Sequence, residues 1–61
     1  MQELRLIDPD GYTVPDTVTT VSDGAADEIR QHLLTEVAPA HAAEWADFGY
    51  KARNYRVATA A

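Results

Sequence analysis

Apolar and polar positions change period along the chain, and each change marks an element. Residues 3–7 alternate, with Leu4 and Leu6 on one side and Glu3, Arg5 and Ile7 on the other, which is the two-residue period of a short strand. Asp8-Pro9-Asp10-Gly11 follows. An Asp that can bond back to the chain, a Pro that presets φ and a Gly that accepts a left-handed conformation predict a type I turn. Tyr12-Thr13-Val14 then reads as the returning strand of a hairpin, halted by Pro15, which cannot donate to a ladder. Thr17-Val18-Thr19-Thr20-Val21 is β-branched throughout and predicts extended chain, as a further strand or a sheet edge.

After Val21 the period lengthens. Ala26, Ile29, Leu33 and Val37 recur at spacings of three and four, Leu34 widens the stripe, and Asp27, Glu28, Arg30, Gln31 and Thr35 take the other side. This predicts an amphipathic helix over about 23–38. Ser22 or Asp23 serves as its N-cap, and Asp23, Asp27 and Glu28 sit where the helix dipole favours acids. Pro39 ends or kinks that helix, or opens a second one. A second short helix over 40–48 puts His41, Trp45 and Phe48 on one face and stops at Gly49. Beyond it, Tyr55 and Val57 alternate with Arg56 and Ala58, predicting a last strand over about 53–58. The expected fold is α+β, a single small domain over 1–61. It comprises an N-terminal β-hairpin, one amphipathic helix, a short second helix and a C-terminal strand against the hairpin.

Composition makes that fold a thin one. The chain has 61 residues, against about 100–150 for a usual domain. Hydrophobic residues are 46% of it, but 11 of them are Ala, which buries little area. There is no Cys, hence no disulfide staple and no thiolate-held zinc. A chain this poor in large apolar side chains stands near the limit of folding alone and points to a protein partner or a homo-oligomer. Ten acids against five bases give a net charge of −5, the wrong sign for gripping a phosphate backbone. The balance is uneven: Arg5 is the one base among residues 1–28, whereas Lys51, Arg53 and Arg56 are unopposed in the last twelve. Such a dipolar chain can associate head to tail or set its basic end on an acidic partner. The charged start, Met1 to Arg5, lacks the apolar stretch of a secretory signal. No apolar run approaches the roughly 18 residues of a membrane span, so a soluble protein made in the cytoplasm, with no membrane partner, is expected.

Few positions offer chemistry beyond plain structure. A calcium loop starting at Asp8 would need an oxygen ligand at its fifth position, Gly at its sixth and Glu at its twelfth. Tyr12, Thr13 and Thr19 stand there, so the motif is a turn. Glu28, His32 and Glu36 share a helical ridge, with His41 and Glu44 beyond, but the set lacks the fixed spacing of a metal site. Ser22, the one serine, has no glycine elbow around it, and Asp8 with Asp10 lies in an exposed turn where nothing raises a carboxyl pKa by burial. Three scattered glycines build no phosphate loop. No enzyme activity, cofactor or metal is therefore expected. The aromatics Trp45, Phe48, Tyr50 and Tyr55, interleaved with Lys51, Arg53 and Arg56, suit the core, a protein contact or the stacking of single-stranded bases. The acidic total disfavours nucleic acid. As contact residues we single out Tyr12, Trp45, Tyr50, Arg53, Tyr55 and Arg56.

The N-terminal part also carries a recognisable order of motifs: Leu6-Ile7-Asp8-Pro9-Asp10-Gly11, a Val-containing return, then Val21-Ser22-Asp23-Gly24-Ala25-Ala26-Asp27. Over residues 4–29 this resembles very small head-region structural proteins of tailed phages that infect actinobacteria, with Pro15-Asp16-Thr17 and the aromatic tail as additions. The resemblance implies a virion component, a minor capsid or decoration subunit docking on a capsid lattice. A different class of function remains open from the charge alone: a small acidic regulatory inhibitor, or antitoxin-like protein, that occludes a basic surface of a host enzyme.

Overall fold

The alternating N-terminal segment forms a strand, and it takes the middle place in the sheet. In the computed structural model, which describes residues 1–60, β1 (Gln2–Ile7), β2 (Thr19–Val21) and β3 (Arg56–Ala60) are antiparallel in the order β2-β1-β3. The chain is α+β: this three-stranded sheet carries one long helical rod. Leu4 and Leu6 are fully buried, packed in one core with Val14, Val21, Ala26, Leu33, Ala38, Ala42 and Tyr55. Opposed residues of an antiparallel ladder share a face, so Glu3 with Ala60 and Arg5 with Ala58 lie on the side away from that core. Glu3 and Arg5 pair with each other there.

The turn forms as its residues require. Asp8 Oδ1 accepts the N–H groups of Asp10 at 3.0 Å and Tyr12 at 2.9 Å. Gly11 donates its N–H to the Asp8 carbonyl at 3.0 Å and adopts φ +92°, where a Cβ would be strained. The return strand, by contrast, is split. Ile7 bridges Thr13 and Val14 donates to the Leu6 carbonyl at 2.9 Å, but the ladder resumes only at Leu4 with Thr19. Between those two pairs β1 moves three residues and the return moves six, so three residues are looped out. Pro15 has no N–H to give, and Asp16 turns the chain at φ +66°. Thr17 then repairs the gap. Its hydroxyl accepts the Leu6 N–H at 3.1 Å and donates to the Val14 carbonyl at 2.7 Å, standing in for a missing strand partner. The β-branched run thus gives a strand only over Thr19–Val21, at the sheet edge.

The two helices expected on either side of Pro39 are one rod, which corrects the predicted break. A 3₁₀ turn (Asp23–Ala25) leads into α1 (Ala26–His32), a π-helical turn (Leu33–Val37) and α2 (Ala38–Glu44). Ala38 donates its N–H to the carbonyl of Leu33, five residues back. That wider turn absorbs the ring of Pro39, which a regular turn would drive against the carbonyl four residues earlier. The extra residue also advances the buried stripe. It runs Ala26, Leu33, Ala38 and Ala42, with Val37 only half-buried, instead of continuing through Val37. Ser22 occupies the capping position through its backbone, whose carbonyl accepts the Ala25 N–H at 3.0 Å, while its side chain caps nothing. Regular helix stops at Glu44, short of the expected 48, and residues 46–48 form a separate 3₁₀ turn. The last strand starts at Arg56, later than expected, because Ala52–Asn54 is another 3₁₀ turn. No helix of the described residues is long and apolar enough to cross a membrane.

Candidate docking site

The aromatic residues gather where α2 ends. His41 and Trp45 are four apart, so they rise on the same side of the helix, and their rings stack at 5.9 Å between centroids. Trp45 leaves helical geometry at φ −109°, ψ 20°, and the 3₁₀ turn Ala46–Phe48 sets Phe48 against it at 5.2 Å. Gly49 then reverses the chain at φ +81°, donating its N–H to the Ala46 carbonyl at 3.0 Å. This reversal lays Tyr50 along Trp45 at 5.8 Å, with the two planes 23° apart. Tyr55, one more turn along, meets His41 edge-on at 5.6 Å and Tyr50 edge-on at 6.3 Å.

Two polar contacts fix these rings. The Tyr55 hydroxyl and His41 Nδ1 are 2.5 Å apart. The Tyr50 hydroxyl donates to Asp10 Oδ2 at 2.5 Å, tying the aromatic turn to the hairpin turn across forty residues of chain. That bond holds the Tyr50 proton, and the pKa is pushed up to about 12, with desolvation and the negative charges of Asp10 and Asp8 adding to it. Burial raises the Tyr55 hydroxyl as well, and the charge of Asp8 acts in the same direction.

The result is a graded stack. Tyr55 is 6% exposed and belongs to the core, whereas Trp45 is 42% and Phe48 71% exposed. Offset rings at 4.5–7 Å attract one another, so the outer pair rests on an ordered base. Its surroundings carry both signs of charge: Glu44 and Asp47 on one flank of the sequence, Lys51 and Arg53 on the other, all exposed. An exposed aromatic centre with a polar rim has the make-up of a protein contact.

Of the six residues singled out from sequence, the fold brings Trp45, Tyr50 and Tyr55 together. Tyr55 supports the patch from below and offers little surface. Arg53 is exposed in the turn between the two tyrosines. Arg56 opens β3 opposite Ile7, on the sheet face away from the core. Tyr12 is 72% exposed beside the hairpin turn and stacks on none of these rings among the described residues. Phe48 and His41 also belong to the cluster and stand outside the six, although their spacing from Trp45 places all three on one helical face. Asp10 carried no such signal, because its partner is remote in sequence. No protein family, curated protein or solved structure matches the chain.

Proposed function

We propose that the chain is a non-enzymatic interaction module, a small virion subunit of minor-capsid or decoration type that docks on a larger lattice through Trp45 and Phe48. The observation that carries this reading is the exposed Trp45–Phe48 pair seated on rings already ordered by His41, Tyr50 and Tyr55. Ordering such side chains before contact lowers the entropic cost of binding. Buried aromatic anchors of this kind carry about 2 kcal/mol or more each when truncated in an interface. The phage setting is supported by the motif order of residues 4–29. Against the acidic-inhibitor alternative, Asp8 is engaged with backbone N–H groups and Asp10 with Tyr50, which leaves fewer free carboxylates for mimicking a polyanion.

The test is mass spectrometry of purified particles from the phage whose genome encodes the chain, before and after a molar-salt wash. Retention through the wash supports an apolar lattice contact. Absence of the chain from washed and unwashed particles refutes the virion reading, and release by salt with binding to a host enzyme favours the inhibitor.

A further inference from the structure

The sheet has two edges, and they are defended differently. β2 is only three residues long, and the remainder of that side of β1 is covered by Val14 and Thr17. Short edges and covered edges are the usual protection against strand pairing. β3 runs for five residues, Arg56–Ala60, without Pro or Lys and with Arg56 as its one charge. No described residue pairs with its outer side.

Which backbone groups are free there follows from β1. Leu6 uses both its C=O and its N–H toward Val14 and Thr17. Successive residues of a strand point these groups to opposite sides, so Arg5 and Ile7 aim theirs at β3. Their partners Ala58 and Arg56 point back at β1, and Val57 and Thr59 direct N–H and C=O outward.

We propose that this edge pairs with a second copy of the chain, β3 against β3, antiparallel about a twofold axis at Ala58. In that register Val57 of each copy exchanges both backbone bonds with Thr59 of the other. The free groups are complementary to themselves with none left over. Arg56 falls opposite Ala60 of the other copy, so the two guanidinium charges stay apart. Ala58 meets its own counterpart in the non-hydrogen-bonded position, where Cα atoms approach to about 4.5 Å and a methyl side chain fits. The product is one continuous six-stranded sheet with both helical rods on the same face. The aromatic patch takes no part, so the pairing and the docking reading fail independently.

The chain has no Cys, which makes the register directly testable. Cα atoms about 4.5 Å apart lie within disulfide reach, so Ala58→Cys is expected to form a covalent dimer rapidly on mild oxidation. Ala60→Cys, whose counterpart is remote in this register, should do so only slowly. Sedimentation of the wild-type chain at millimolar concentration should give twice the 6.7 kDa monomer mass. Thr59→Pro removes an outward N–H while sparing the β1 ladder, and should return the mass to that of the monomer with an unchanged far-ultraviolet spectrum. A wild-type chain that stays monomeric at that concentration overturns the proposal. Equal cross-linking of the two Cys variants overturns the register.

Discussion

Replacing Thr17 with Val removes one oxygen and leaves the shape of the side chain nearly unchanged. The position is 4% exposed, and its hydroxyl serves the Leu6 N–H at 3.1 Å and the Val14 carbonyl at 2.7 Å. In Thr17→Val both backbone groups lose that partner at a point where the split return strand supplies no substitute. An unsatisfied buried polar group costs about 1–3 kcal/mol, so the pair should cost about 2–6 kcal/mol. A chain of 61 residues has a total stability of about 3–9 kcal/mol at ordinary per-residue values, so much of its stability would be lost. At about 4–8 °C per kcal/mol for a domain this small, Tm should fall by about 8 °C or more. Thr17→Ser keeps the oxygen and loses one methyl, worth about 0.8 kcal/mol. Urea denaturation at a fixed protein concentration, followed by far-ultraviolet circular dichroism, measures both. A Thr17→Val variant that unfolds within about 0.5 kcal/mol of wild type, the scatter of neutral substitutions, would refute this role of the hydroxyl. So would a Thr17→Ser variant as damaged as Thr17→Val.

Asp16 sits at φ +66°, so Asp16→Asn should be neutral, whereas the β-branched Asp16→Val should cost about 1 kcal/mol or more in the same assay. Tyr50 keeps its proton in the folded state to about pH 12, above the usual tyrosine value near 10. The stability it lends is therefore complete below about pH 10 and lost as pH rises from about 10 to about 12. Burial raises Tyr55 as well, so ultraviolet titration of tyrosinate is compared between wild type and Asp10→Asn, which should move the Tyr50 ionisation to lower pH; an unmoved titration would break the Tyr50–Asp10 link. Phe48→Ser should leave folding stability within about 0.5 kcal/mol, as at an ordinary exposed site, yet weaken docking at least tenfold. A large loss of Tm in that variant would place Phe48 among the residues that hold the fold.

Features decided by neighbours in sequence were legible, and those decided across the fold were not. Asp8, Pro9 and Gly11 specify their turn locally, and the Ala26–Ile29–Leu33 spacing specifies the helix. Thr17 was hidden, because a β-branched residue in a β-branched run reads as strand, and its hydroxyl acquires a role only when Leu6 lies beside it. Pro39 misled for a related reason. Its local effect is to stop a helix, but burial of Ala38 and Ala42 against the sheet outweighs that tendency and a π turn accommodates the ring. At the aromatic patch, spacing grouped His41, Trp45 and Phe48 without saying which ring would be covered. Tyr55 is buried because β3 returns beside β1, a consequence of topology that no window of sequence contains.

Trp45 is the one tryptophan, so it can report on its own burial. The most direct test of docking through Trp45 and Phe48 is fluorine NMR of the chain, labelled at this position with fluorotryptophan, free and then bound to phage heads that lack it. The expected result is a broadened, shifted resonance that loses its response to a soluble paramagnetic quencher on binding, together with loss of binding in Phe48→Ser. Binding that leaves the Trp45 signal as accessible as in the free chain would contradict the account.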